Sequence, residues 1–237
     1  MSYRYDLHCH TREGSDCSEL PAEEMAALYH RLGYSGFCVT DHISGSTVLP
    51  DETPWDERVE FHYEIYSRVR IAAEKLGLSV FFGLEYSLAP DVERLTRITG
   101  NDFVLLNLSK EWLKENKAAF REKPETLFAK IREAGGFVIH AHPFYEARWV
   151  ECIRLYPASV DAIEVLNTGC SDFVNDNAKT YARAYGLLEV AGSDCHSEEN
   201  ELFSGVEVDA PCRTSEELVA AIKEKRARII PSFTPES

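Results

Sequence analysis

Six of the eight histidines of this chain stand in short clusters, three of which also contain an acidic residue. The segments are DLHCHT, TDH, IHAHP and SDCH, and their histidines are His8, His10, His42, His140, His142 and His196. Neutral imidazole binds zinc, iron and manganese, and carboxylates complete such sites and offset the charge of the cation. The histidine clusters therefore predict a divalent-metal site.

The HxH spacing suits a β-strand, in which residues i and i+2 point to the same side. His8 and His10 can thus present both imidazoles to one ion, and the same rule makes His140, two residues before His142, a candidate pocket residue. The acids available to complete the site are Asp16, Glu85 and Asp194. One carboxylate, such as Glu85, can bridge two ions about 3.5–4 Å apart.

Short apolar runs alternate with helical patterns along the chain, as expected of an α/β protein. The predicted strands cover residues 4–9, 36–41, 79–85, 103–108, 136–141, 161–166 and 187–192. Predicted helices cover residues 21–33, 56–77, 123–136, 174–186 and 214–227. Repeated strand–helix units indicate a parallel sheet, and seven strands favour a distorted (β/α)7 barrel, with a doubly wound open sheet as the alternative.

The interruptions of this pattern are few, so one domain is expected over residues 1–237. Residues 43–56 read as a long loop, and residues 86–101 read as an irregular segment with room for a short extra strand. Each histidine cluster stands at the predicted carboxyl end of a strand. In a parallel α/β fold these ends meet on one face, where active sites are built, so the clusters are expected to converge there.

The composition limits the kinds of binding partner and the cellular compartment that can be expected. A formal charge of −15, from 25 basic and 40 acidic residues, opposes binding to long nucleic acid or to anionic membranes. The chain has no apolar run of about 18 residues and no basic and apolar leader, which predicts a cytoplasmic protein. Bound metal ions are an obvious source of the local positive charge that an anionic substrate requires.

Together, the motifs resemble those of the PHP domain, named for polymerase and histidinol phosphatase. The matching segments are DLHCHT with SD, VTDH, GLE, HAHP and AGSDCH, within residues 6–16, 39–42, 83–85, 140–143 and 191–196. The resemblance implies a distorted (β/α)7 barrel with two or three divalent ions, zinc, manganese or iron, at its C-terminal face. It also implies hydrolysis of phosphate esters.

Carried over by motif, the resemblance assigns ligands to three ions. The first would be held by His8, His10, Glu85 and Asp194, the second by Glu85 and His142, and the third by Asp16, His42 and His196. Two departures stand out. The family usually supplies a histidine near the end of the fourth strand, where this chain has Asn107, Ser109 and Lys110, so that a weaker second ion or compensation by His140 is expected. The acid Asp16 also comes one residue later than in the pattern HTxxSD.

The expected reaction is hydrolysis of a small phosphorylated metabolite or nucleotide by a metal-activated water. Candidates for proton transfer are Asp41, His42 and His196, and Asp41 is also expected to hold a ligand imidazole or a metal-bound water. Arg148 is a candidate phosphate clamp because guanidinium binds phosphate through two parallel hydrogen bonds, and His140 is a candidate substrate contact. One alternative is an amidohydrolase-type C–N hydrolase, in which a carboxylated lysine usually bridges the metals, although Lys110 of this chain lies past its predicted strand and Glu85 can bridge instead. The other alternative is a non-catalytic module that metals stabilise.

Overall fold

The structure is a computed structural model that describes residues 2–88 and 95–235. The strands in these residues are β1 Tyr3–Asp6, β2 Gly36–Val39, β3 Ser79–Ser87, β4 Asp102–Leu106, β5 Phe137–Ala141, β6 Ala162–Asn167, β7 Leu188–Gly192, β8 Phe203–Val208 and β9 Arg228–Phe233. The helices are α1 Ala22–Arg31, α2 Trp55–Glu74, α3 Lys110–Glu115, α4 Pro124–Glu133, α5 Asp172–Tyr185 and α6 Ser215–Lys223, with a short 3₁₀ helix at Lys117–Arg121. The seven predicted strands and five predicted helices are all present, whereas α3, β8 and β9 escaped prediction.

The strands form one sheet in the order β7-β6-β5-β4-β3-β2-β1-β8-β9. Strands β1, β2 and β3 are parallel to one another, as are β5, β6 and β7. Strand β4 is antiparallel to both its neighbours, and Ser87 of β3 pairs with Asp102 of β4. The prediction of a wholly parallel sheet is therefore wrong at β4. A parallel pair needs a crossover, usually a helix, and the connection through residues 88–101 instead returns the chain at the same end of the sheet.

The carboxyl ends of β7 and β1 meet and nearly close the sheet into a barrel. The main-chain N–H of Asp194 donates to the carbonyl of His8 at 2.8 Å, and that of His10 donates to the carbonyl of Cys195 at 2.9 Å. Strands β8 and β9 continue the sheet beyond β1 in antiparallel pairing. Pro231 interrupts the apolar run of β9, as is common in strands at a sheet edge, which explains why this strand has a weak sequence signal.

The carboxyl ends of the parallel strands, which carry the histidine clusters, form the polar end of the barrel, and apolar side chains fill the barrel away from this end. Leu7, Val104, Leu106 and Phe137 belong to this inner cluster, to which α6 adds Leu218. Two further clusters pack the helices against the outside of the sheet. The irregular segment predicted for residues 86–101 lies partly outside the described residues, at 89–94, and β4 begins directly after it. None of the described helices is both long enough and apolar enough to cross a bilayer.

Candidate metal centre

A buried carboxylate, that of Glu85 in β3, lies at the centre of the polar end of the barrel. Its Oε2 atom is 3.3 Å from Nε2 of His8, 3.3 Å from Nε2 of His10 and 3.2 Å from Nε2 of His42. Its Oε1 atom is 3.3 Å from Nε2 of His142. These four histidines follow β1, β2 and β5, so the strand ends bring together residues that are distant in sequence.

Asp194, just after β7, is the second carboxylate of the cluster. Its Oδ1 atom is 3.4 Å from Nε2 of His8 and 3.1 Å from Nε2 of His10, and its Oδ2 atom is 3.9 Å from Nε2 of His142. The side chain of His196 lies beside it, with Nδ1 3.7 Å from the same Oδ1. Asp194 and Glu85 thus share His8, His10 and His142 as neighbours.

The charges of this cluster shift the pKa of each member. Burial raises the pKa of Glu85, but the surrounding imidazoles, His42 and His8 foremost, outweigh burial and hold it well below its usual range. Burial lowers the pKa of His10, but Asp194 and Glu85 raise it to about 9. His142 also reaches a pKa of about 9, where burial is outweighed mainly by Glu85. The metal-free cluster therefore holds protons on imidazoles between two carboxylates.

His8 is oriented by Glu164 of β6, a residue to which the sequence assigned no role. Glu164 Oε1 lies 3.1 Å from Nδ1 of His8, and Oε2 accepts from the main-chain N–H of His142 at 3.0 Å and from Nδ2 of Asn167 at 2.9 Å. A carboxylate that accepts from Nδ1–H leaves Nε2 as the ligating atom, the usual arrangement behind metal-bound histidines. Glu164 could have been found as an acid in the buried run DAIEVL.

His10 is oriented through Ser15 and Asp41. The hydroxyl of Ser15 donates to Asp41 at 2.9 Å, so its oxygen is free to accept from Nδ1–H of His10 at 3.1 Å. Asp41 also accepts from the main-chain N–H and the hydroxyl of Thr11, at 2.6 and 2.7 Å. The buried Asp41 thus lies behind the ligand loop, where it positions His10 and does not line the cavity, so contact with a substrate, as a catalytic residue requires, is not supported.

The unpaired atoms of the cluster fit a set of divalent ions. Nε2 of His8, Nε2 of His10 and Oε1 of Glu85 are buried and have no hydrogen-bond partner among the described residues. Buried polar atoms without partners are rare and need an explanation, such as an ion. Ligand atoms within 4.8 Å of one another form four groups: His8, His10 and Glu85; Glu85, Asp102 and His142; His10, His42 and His196; and His8, His142 and Glu164.

Asp102 lies with Glu85 and His142 at the position for which the sequence offers no histidine at the end of the fourth strand. Because β4 is antiparallel, its first residue lies at the polar end of the barrel, and residues after Leu106, including Asn107, Ser109 and Lys110, lie at the other end. The structure thus groups Asp102 with Glu85 and His142, and it does not bring His140, which was expected to compensate for the missing histidine, to this position. Burial and the nearby Glu85 raise the pKa of Asp102 to about 6, and Ser87 donates a hydrogen bond to its carboxylate.

His140 and His142 do not share a side of the strand, contrary to prediction. His140 is fully buried outside the barrel, where its ring stacks on Phe103 at 4.4 Å and meets Tyr181 edge-on. His142 follows the end of β5 with a φ of +28°, which breaks the alternation and turns its ring into the site. Such a φ is strained for a residue with a side chain, and strain of this kind occurs mainly at functional sites. The structure therefore does not bring His140 to the cavity, where a substrate contact was predicted.

A cavity of about 420 Å³ opens above the cluster. Its described lining is Asp16, Cys17, His42, Ser46, Glu85, Ser87, Ile98, Gly100, Asp102, His142, Tyr145, Trp149, Asp194 and His196. Asp16 is exposed at the rim and belongs to none of the four close donor groups. Arg148 is exposed and lines an adjoining groove with Phe144 and Phe173, so the structure does not bring this predicted phosphate clamp to the cavity.

Replacement of Glu164 by glutamine should weaken metal binding about 10–100-fold, the usual cost of losing a residue that orients a ligand. The amide can no longer offer two acceptor oxygens to His8, His142 and Asn167, so Nδ1 of His8 loses its fixed partner. Metal titration of the purified variant measures the change. Glu189→Gln is the matched control, because Glu189 lies on the neighbouring β7 and pairs with Arg183. Equal metal affinity in the two variants would show that Glu164 does not contribute to metal binding.

The stability of the metal-free protein should fall as the pH rises from 6.5 to about 9. Protonated His10 and His142 are stabilised by the carboxylates of the folded state, and each raised pKa means that this stabilisation is complete below 6.5 and is lost by about 9. Thermal melts of chelator-treated protein should show a decrease of about 5 °C or more. Metal-loaded protein should not show this loss, because deprotonated ligands bind metal more tightly. A melting temperature of the metal-free protein that stays constant or rises between pH 6.5 and 9 would contradict this prediction.

Solved structures with the same fold are known. A two-domain protein from Bacteroides vulgatus that contains a predicted PHP-like metal-dependent phosphoesterase aligns over 97% of this chain at 17% identity, with a TM-score of 0.70. The chain spans 65% of the length of that protein. PsfC from Pseudomonas syringae aligns over 97% of this chain and 91% of its own at 16% identity, with a TM-score of 0.65.

A third similar structure is an amidohydrolase from Chromobacterium violaceum with bound sulfate and no metal. It aligns over 99% of both chains at 17% identity, with a TM-score of 0.57. At such identities these likenesses show the fold alone. No curated protein matches the chain.

Family models match most of the sequence and include the ligand motifs. The model of the PHP domain matches residues 6–149, and the PHP-associated model matches residues 173–227. The first range contains His8, His10, His42, Glu85 and His142, and the second contains Asp194 and His196. Since the PHP model alone covers more than half of the chain, this protein is a member of the PHP family.

Proposed function

We propose that this protein is a metal-dependent phosphoesterase that hydrolyses a small phosphorylated metabolite or nucleotide with two or three divalent ions, zinc, manganese or iron. Family membership supports a metal-dependent hydrolase, and the phosphate ester is the finer part of the proposal. The observation that carries it is the position of Glu85, whose two oxygens face different donor groups. A shared carboxylate of this kind is typical of sites that hold adjacent ions for hydrolysis.

The residues proposed to hold the ions are those that the strand ends bring together. His8, His10, Glu85 and Asp194 would hold one ion, and Glu85, Asp102 and His142 would hold another. His42 and His196, with Asp16 at the rim, would complete a third position. Divalent ions in such a site supply positive charge for a phosphoryl group and lower the pKa of water toward neutrality.

His196 is proposed to move a proton during the reaction. Its Nδ1 lies 2.6 Å from the carbonyl oxygen of Asp194, an acceptor, so Nδ1 carries the hydrogen and Nε2 is free to accept a proton or to bind metal. Burial lowers the pKa of His196, which keeps the ring neutral near pH 7. Asp41 acts through Ser15 on the orientation of His10.

The rival C–N hydrolase reading rests on the likeness to the amidohydrolase structure, and the position of Lys110 opposes it. Lys110 follows β4 at the end of the barrel away from the cluster, and its Nζ pairs with Glu60 of α2 at 3.0 Å. Among the described cavity residues no lysine is available to be carboxylated. The open cavity above the ligands likewise favours catalysis over a purely structural role for metal, because structural sites are closed.

A substrate screen on metal-defined protein tests the proposal. The protein is stripped with chelator, reconstituted separately with zinc, manganese or iron, and assayed against phosphomonoesters, phosphodiesters, N-acyl amino acids and lactones. Metal-dependent release of phosphate or alcohol from phosphate esters is expected, with Asp194→Asn inactive and deficient in metal. Cleavage of amides or lactones with no phosphatase activity would replace the proposal by the C–N hydrolase reading.

A further inference from the structure

One wall of the cavity is apolar and aromatic, in contrast to the acidic and imidazole groups of its floor. Ile98, Tyr145 and Trp149 form this wall. The ring of Tyr145 lies 5.2 Å from the ring of His142, and the ring of Trp149 lies 6.5 Å from that of Tyr145. The wall therefore begins at a candidate metal ligand and extends outward from it.

The aromatic wall is held by packing between two loops. Gly100 has a φ of +67°, and a Cβ at this position would lie 2.4 Å from Cγ2 of Val150. The loop that contains Gly100 is therefore in close contact with the loop that contains Val150. The main-chain N–H of Tyr145 donates to the carbonyl of His142 at 2.9 Å, which ties the wall to the ligand loop. These contacts fix the aromatic wall relative to the candidate metal ligand His142.

Trp149 remains 53% exposed although it is the largest apolar side chain of the wall. Exposure of such a ring forgoes the free energy of burial, and rings placed this way at a cavity mouth are typical of ligand contacts. A substrate whose phosphate lies over the histidines would place its alcohol along Tyr145 and Trp149. Flat rings gain from stacking on aromatic faces beyond what burial of apolar area provides.

From these contacts, and on the basis of the proposed phosphoesterase function, we infer that Tyr145 and Trp149 are specificity-determining residues that select phosphate esters whose alcohol carries a flat, unsaturated ring. The reaction is hydrolysis, in which a P–O bond to the alcohol breaks, water supplies the new P–O bond, and the alcohol takes up a proton.

Two esters with alcohols of similar acidity separate stacking from simple hydrophobicity. We expect 2-phenylethyl phosphate to be hydrolysed with kcat/KM about 3–10-fold higher than 2-cyclohexylethyl phosphate. The cyclohexyl group has the larger apolar surface, so burial alone predicts equal rates or the opposite order. Equal or reversed preference would overturn the inference.

Trp149→Leu tests the wall directly, because leucine retains apolar area and removes the ring. The phenyl-to-cyclohexyl ratio should fall to about 1 in this variant, with metal content unchanged. Phe173→Leu is the matched control: Phe173 is an exposed aromatic residue on α5 that lines the adjoining groove, and its replacement should leave the ratio as it was. A ratio that is unaffected by Trp149→Leu contradicts the role of this side chain.

Calorimetry tests the aromatic subsite by binding alone, so that its outcome does not depend on the proposed phosphoesterase activity. Binding of 2-phenylethyl and 2-cyclohexylethyl phosphonate, which resist hydrolysis, is measured on metal-loaded protein. If no phosphate ester is hydrolysed, the function fails, yet tighter binding of the phenyl phosphonate still supports the aromatic subsite. If esters are hydrolysed and both phosphonates bind equally, the function stands and the subsite is wrong.

Discussion

Glu85→Gln should remove most of the bound metal and lower the proposed phosphoesterase activity by about 10³-fold, the scale of losing one preorganised charge in an enclosed site. Oε1 and Oε2 of Glu85 lie within 3.2–3.3 Å of Nε2 atoms of four histidines. An amide keeps one acceptor oxygen and turns a donor toward the remaining imidazoles, so it cannot serve two ions.

The same substitution should also change the metal-free protein. Glu85 is among the main groups that raise the pKa of His10 and His142. Without its charge these imidazoles become easier to deprotonate, and the fall in stability between pH 6.5 and 9 should become smaller.

Elemental analysis and melts of chelated protein measure the two effects of Glu85→Gln independently of substrate. Glu64→Gln is a suitable control, because Glu64 is an exposed glutamate on α2, away from the strand ends. A Glu85→Gln protein with full metal content would show that the carboxylate does not bridge ions, whatever its activity.

Asp102→Asn is expected to lose one ion of the set and about 10²-fold in activity, because only the donor group of Glu85, Asp102 and His142 is depleted. The His8, His10 and Asp194 contacts are untouched, so partial metal content distinguishes this variant from Glu85→Gln. Since imidazole binds the same metals as carboxylate in such sites, Asp102→His should recover metal more fully than Asp102→Asn.

Asp176→Asn is the control for this pair, because Asp176 is an exposed aspartate on α5. The measurement is the metal-to-protein ratio after dialysis against a weak chelator, with kcat/KM for one phosphate ester. An unchanged metal-to-protein ratio in Asp102→Asn would mean that the carboxylate of Asp102 contacts no ion. Another residue would then have to take the place of the histidine that is missing from the fourth strand.

Most of the candidate metal ligands were recognisable in the sequence. His8, His10, His42, Glu85, His142 and Asp194 follow or occupy short apolar runs, and the carboxyl ends of parallel strands share one face. Local spacing and the shared face of the strand ends thus sufficed to predict that these side chains meet, and the structure places each of the four histidines 3.1–3.9 Å from a carboxylate oxygen of Glu85, of Asp194 or of both.

Strand direction and backbone conformation decided the rest. The antiparallel course of β4 brings Asp102 to the site and takes Lys110 away, and direction depends on pairing with β3 and β5, which no local pattern of β4 encodes. The φ of +28° at His142 separates it from His140, because alternation applies only while the chain remains extended. Sequence alone determined which residue types are available at the strand ends, and tertiary pairing determined which of them share a cavity.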